Sequence, residues 1–73
     1  MSPEMANIAI PTFLKSIRER VEEATGIAKA AEACADAGNF EKGVEIVLDI
    51  EELMYEATTL LNGASLIKRC AKS

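Results

Sequence analysis

The stretch Cys34-Ala35-Asp36-Ala37-Gly38-Asn39-Phe40-Glu41-Lys42-Gly43 decides the fold of this chain. Gly38 suits the left-handed residue that closes a helix. Asn39 suits the N-cap that opens the next one. Helices joined by so short a connection run antiparallel. Reading outward from the turn in both directions tests that hairpin. Upstream, Leu14, Ile17, Val21, Ala24, Ala28, Ala31 and Ala35 alternate spacings of three and four. That alternation is the seam of one helix packed on another. Phe13, Ile27 and Cys34 widen it on one side. Downstream, Gly43, Ile46, Ile50, Leu53, Ala57, Leu60, Ala64 and Ile67 keep the same alternation, with Val47, Met54 and Leu61 as a second apolar row beside it. Asn62-Gly63 predicts a kink or weakening rather than an end, because the period runs through it.

The N-terminal boundary is set by two prolines. Ser2-Pro3-Glu4 has the order of an N-cap, a proline in the first turn and an early acid, so a short helical turn can form there. Pro11 lacks an N–H and restricts Ile10, which places the start of the first long helix at about residue 11. The predicted fold is all-α, an antiparallel two-helix hairpin over about 11–37 and 40–70. Residues 1–10 form an N-terminal arm or short helix within one helical domain, 1–73.

Size and composition say what this hairpin lacks. The chain has 73 residues, two cysteines and no histidine. At this length a single core supplies only about 3–5 kcal/mol unless a disulfide, a metal or a partner chain adds to it. Without histidine a zinc site is disfavoured. Cys34 and Cys70 fall towards opposite ends of the hairpin, too far apart for a bridge, and both read as small buried hydrophobes. The 49% hydrophobic content excludes a disordered chain. The missing support is therefore a second chain, and the hairpin is expected to assemble into a dimeric or higher helical bundle. Val44, Leu48 and Tyr55 lie outside both apolar rows, so a lone hairpin leaves large side chains in water. The competing arrangement folds Met5, Ile8 and Ile10 back over that patch as a three-helix monomer.

Charge is segregated along the chain. Eight basic against twelve acidic residues give a net charge of −4. An acidic chain is a poor generic binder of nucleic acid. Glu41, Glu45, Asp49, Glu52 and Glu56 follow one face of the second helix. Lys15, Arg18, Arg20, Lys68, Arg69 and Lys72 gather at the open end of the hairpin. The poles could orient two hairpins head to tail, basic end on acidic end. Matching to the helix dipoles explains Glu41, Lys68 and Arg69 equally well.

No catalytic constellation emerges. The commonest general base is absent, and neither cysteine has a histidine to activate it. The glycines are isolated, so no phosphate-binding loop forms, and no cofactor or metal is expected. The start of the chain has no basic and long apolar segments of a secretory signal, and no run reaches the roughly 18 apolar residues of a membrane span. A cytoplasmic location is expected. The stretch from Ala33 to Val44 resembles the inter-helix turn of a tetratricopeptide repeat. The second helix is too long for that family and no second repeat follows, so the likeness implies shared hairpin chemistry and no binding residues.

These features predict a non-enzymatic, acidic helical module that self-associates and binds or inhibits a protein partner, with the profile of an adaptor, a phage-type antagonist or a co-chaperone. The expected partner interface comprises Val44, Val47, Leu48, Glu51, Glu52, Met54 and Tyr55. One alternative is an oligomer that binds an anionic small molecule or nucleotide at its basic ends, through Lys15, Arg18, Lys68, Arg69 and Lys72. The other is a structural subunit of a larger assembly.

Overall fold

Gly38 takes the left-handed backbone that the turn demands, with φ at 89°. Around it, the Gly38 N–H donates to Ala35 O at 2.9 Å and the Asn39 N–H to Cys34 O at 2.9 Å. This pair of bonds is a Schellman closure, which satisfies the last carbonyls of the helix. One residue later the Asn39 side chain accepts from the Lys42 N–H at 3.1 Å and caps the next helix. The computed structural model describes residues 2–71. It consists of α1 (Pro3–Asp36), α2 (Phe40–Val47) and α3 (Ile50–Ala71). α2 and α3 form one bent arm that runs antiparallel to α1. The all-α hairpin expected from the turn is therefore present.

Both boundaries of the arms differ from the expected ones. α1 starts at Pro3 and carries Pro11 in its interior, so residues 3–10 are its first turns and not a separate arm. Ser2 caps this start, accepting from the Met5 N–H at 3.2 Å. An interior proline costs about 3 kcal/mol. Packing against the far end of α3 offsets it: Ala6 is the most buried of the core residues, 3% exposed. The segment therefore lies along α3 and does not fold back over the apolar patch; Met5 and Ile8 remain exposed. In the second arm the break falls at Leu48-Asp49, where the Asp49 N–H reaches Ile46 O and the Glu51 N–H reaches Leu48 O, both three residues back. No glycine or proline explains the break. The helix runs unbroken through Asn62-Gly63.

The seam of the second arm holds as predicted: Gly43 and Ala64 are buried, and Ile46, Ile50, Leu53, Ala57, Leu60 and Ile67 half-buried. The seam of α1 is turned by one residue. Phe13, Arg20, Ile27 and Cys34 join Ile17, Ala24 and Ala31 in facing the second arm, while Leu14, Val21 and Ala28 are exposed. Arg20 is the reason. Its Nε donates to Glu56 Oε2 at 2.9 Å across the hairpin and its guanidinium also reaches Ser16 O at 3.2 Å. A long basic stem can thus fill a seam position while its head stays at the edge. Cys34 is half-buried and Cys70, against expectation, is exposed; both are free thiols.

The result is a rod, 54 × 14 × 11 Å between Cα extremes, with a radius of gyration of 16.7 Å. A compact chain of this length would have about 11 Å. Among the described residues the buried apolar core is Ala6, Ala24, Ala31 and Ala64, and no large side chain is fully buried. Beside the turn, glycine is required where the arms meet: a Cβ on Gly43 would stand 2.9 Å from the backbone Ala31 O. Gly26 has no such neighbour. Gly26→Ala should raise the melting temperature by about 4–8 °C, through about 1 kcal/mol of helix propensity. Gly38→Ala should lower it by a similar amount, because its φ is closed to other residues. Thermal circular dichroism of the two variants checks both signs.

Candidate protein-interaction surface

Three contacts set the register of the hairpin. Phe13 abuts Gly63, Arg20 pairs with Glu56, and Ala31 and Ala35 pack on Gly43. Across this register Leu14 stands level with Leu61, Val21 with Met54, Ala28 with Val47 and Ala35 with Phe40. These are the residues just after the outer seam positions on each arm. The two edges of the rod therefore differ in chemistry. On one edge Glu23, Asp49, Glu52 and Glu56 border a shared open groove of about 460 Å³, with Ile27, Leu48 and Leu53 along it. On the other edge run the four level pairs, all apolar.

The apolar edge is solvent-exposed except at Ala35, which is half-buried beside Gly43. Leu14 and Leu61 are each 54% exposed, Val21 47%, and Val47 and Met54 39%. Phe40 at the turn end is more exposed still. Four rungs seven residues apart make a strip about 30 Å long at 1.5 Å per residue. Arg18, Thr25 and Glu32 flank it on α1, and Val44, Glu51 and Thr58 on the second arm. Half of this strip comes from α1, through side chains that sequence reasoning placed in the seam. A matching row one position after the seam, present on both arms, is the signal that reveals it.

The predicted interface residues are distributed over different faces. Val47 and Met54 lie on the apolar edge, and Val44 and Glu51 on its rim. Leu48 and Tyr55 stand towards the back of the second arm and are strongly exposed; Leu48 also borders the acidic groove with Glu23 and Ile27 of α1, and Tyr55 lies near Arg20 and Glu56. Glu52 lies on the acidic edge. No protein-family model, curated protein or solved structure matches the chain. Its surface chemistry must therefore be read from its own geometry.

The basic residues are not brought together. Lys68 and Arg69 pack beside the first turns of α1, level with about residue 8, so Lys15 and Arg18 lie roughly 10–15 Å further along the rod. Arg18 Nη1 is already engaged with Glu22 Oε1 at 2.9 Å. Arg20 belongs to the seam, as described. Lys72 falls outside the described residues. Among the described residues, no group of three or more Cys, Asp or Glu side chains is placed to hold a metal ion. No helix among them is long and apolar enough to cross a membrane.

Proposed function

We propose that this chain is a non-enzymatic helical interaction module that associates with itself and binds or inhibits a protein partner. The observation that carries the reading is the imbalance of burial. Among the described residues twelve large apolar side chains are exposed while no large side chain is fully buried. The accessible surface is 5389 Å². A compact monomer of this mass would expose about 4,400 Å². The surplus, about 1,000 Å², is close to the roughly 800 Å² each partner contributes to a standard interface.

The two apolar regions have separate uses in this reading. The edge built by both arms serves association. The back of the second arm, with Leu48 and Tyr55 beside Glu51 and Glu52, stays outside such an assembly and meets the other protein. An aromatic and a leucine framed by acids suit a partner with an apolar contact and a basic rim. Leu48→Glu combined with Tyr55→Lys should leave the mass of the assembly unchanged while removing the proteins recovered in a pull-down. Recovery of the same proteins by variant and wild type would count against this surface.

A further inference from the structure

We propose that a second copy of this chain occupies the apolar edge, docked antiparallel about a two-fold axis that passes close to Thr25 and Glu51. The inference rests on the self-association reading above and adds to it a face, a direction and an axis.

The spacing of the rungs supplies the axis. The four level pairs repeat every seven residues, so the strip is symmetric about its midpoint, between Val21 and Ala28 on α1 and between Val47 and Met54 on the other arm. Reversal about that midpoint lays α1 on α1 of the second copy. Leu14 then meets Ala35, and Val21 meets Ala28. On the other arm Leu61 meets Phe40, and Met54 meets Val47. Each α1 contact joins a large side chain to an alanine, and each contact between the second arms joins two large ones. Both layers keep an even thickness along their length, which close packing requires. Parallel docking would instead stack Leu14 on Leu61 at one end and Ala28 on Val47 in the middle, leaving a wedge.

The rim charges favour the same direction. Arg18, Thr25 and Glu32 are also seven residues apart. Reversal sets Arg18 against Glu32 of the second copy, and the two-fold repeats the pair. Thr25 meets its own copy at the axis. On the opposite rim Glu51 meets its own copy, so two attractive pairs stand against one repulsive pair. Arg18 can leave Glu22 for this contact, because the Arg18–Glu22 pair is exposed on both sides, 59% and 62%, and such pairs are weak.

The test uses the full chain with Cys34→Ala and Cys70→Ala. In that background Thr25→Cys should be joined into a covalent dimer by a short bis-maleimide, whereas Glu41→Cys, near the turn, should not. With the native cysteines restored, Arg18→Glu and Glu32→Arg should each raise the dimer Kd by about ten-fold, through two symmetry-related pairs of up to about 1 kcal/mol each. The double variant should recover wild-type affinity. A dimeric protein that links through Glu41→Cys but not Thr25→Cys, or whose double variant is as weak as the singles, would overturn the antiparallel axis and leave self-association standing. A monomeric wild type would overturn both.

Discussion

Val21→Glu should convert the proposed dimer into a monomer. Val21 sits in the middle of the apolar edge, level with Met54, and reversal places it against Ala28 of the second copy. A carboxylate there is taken out of water, and its one cationic neighbour on the helix, Arg18 one turn away, is engaged with Glu32 of the second copy. An unpaired buried charge costs about 3 kcal/mol or more. The two-fold doubles the defect, so Kd should rise by about 10⁴-fold. The consequence reaches the fold as well. Among its described residues a lone hairpin buries four alanines as its apolar core and no large side chain fully, so dilution should lower helicity along with mass. Leu48→Glu is the matched control. It makes a similar apolar-to-acid change on the back of the second arm and should leave mass and helicity near wild type. Light scattering combined with far-ultraviolet circular dichroism, across a dilution series, measures both quantities. A Val21→Glu protein with wild-type mass would remove the apolar edge from the interface.

Gly43→Val should be the most damaging change within the hairpin itself. Gly43 is buried in α2, beside the turn. A Cβ there would stand 2.9 Å from Ala31 O and 3.6 Å from Ala35 Cβ. The first of these is a backbone atom inside α1 and cannot swing aside. The branched side chain would force the arms apart at the point where the Schellman closure and the Asn39 cap hold them together. Overpacking of this kind costs about 1–3 kcal/mol, which lowers the melting temperature of so small a domain by roughly 4–8 °C per kcal/mol. A fall of about 10–20 °C is expected, with a stable helical signal below it. An unchanged melting temperature would mean that the arms are not in contact at Gly43.

Much of this fold was legible from the turn outward. Gly38 and Asn39 announced the hairpin because only certain residues tolerate a positive φ or cap a helix well. The seam of the second arm was legible because it contains only glycine, alanine and aliphatic residues. The seam of α1 was misread at Leu14, Val21 and Ala28, which are exposed, and was right at Ala35. Ile17, Ala24 and Ala31 belong to both candidate stripes, and the choice between them turned on Arg20 against Val21. Hydrophobicity favours Val21, yet a guanidinium with a partner on the opposite helix fills the seam instead. That pairing is tertiary and leaves no local mark. Pro11 misled for a related reason: its local cost is real, but the burial of Ala6 and the cap at Ser2 lie beyond it. The break at Leu48-Asp49 has no sequence signal. The candidate surface was half visible. Val47 and Met54 were read as surface residues of the second arm and are exposed, while Leu14 and Val21 were hidden by their assignment to the core.

We propose that this hairpin is completed by a second copy of itself. Sedimentation equilibrium of the unmodified chain at micromolar concentration tests it most directly. The expected result is a species of twice the 7.8 kDa chain mass, fully helical, dissociating and losing helicity together on dilution. A monodisperse 7.8 kDa species that stays stably folded at every concentration would contradict it.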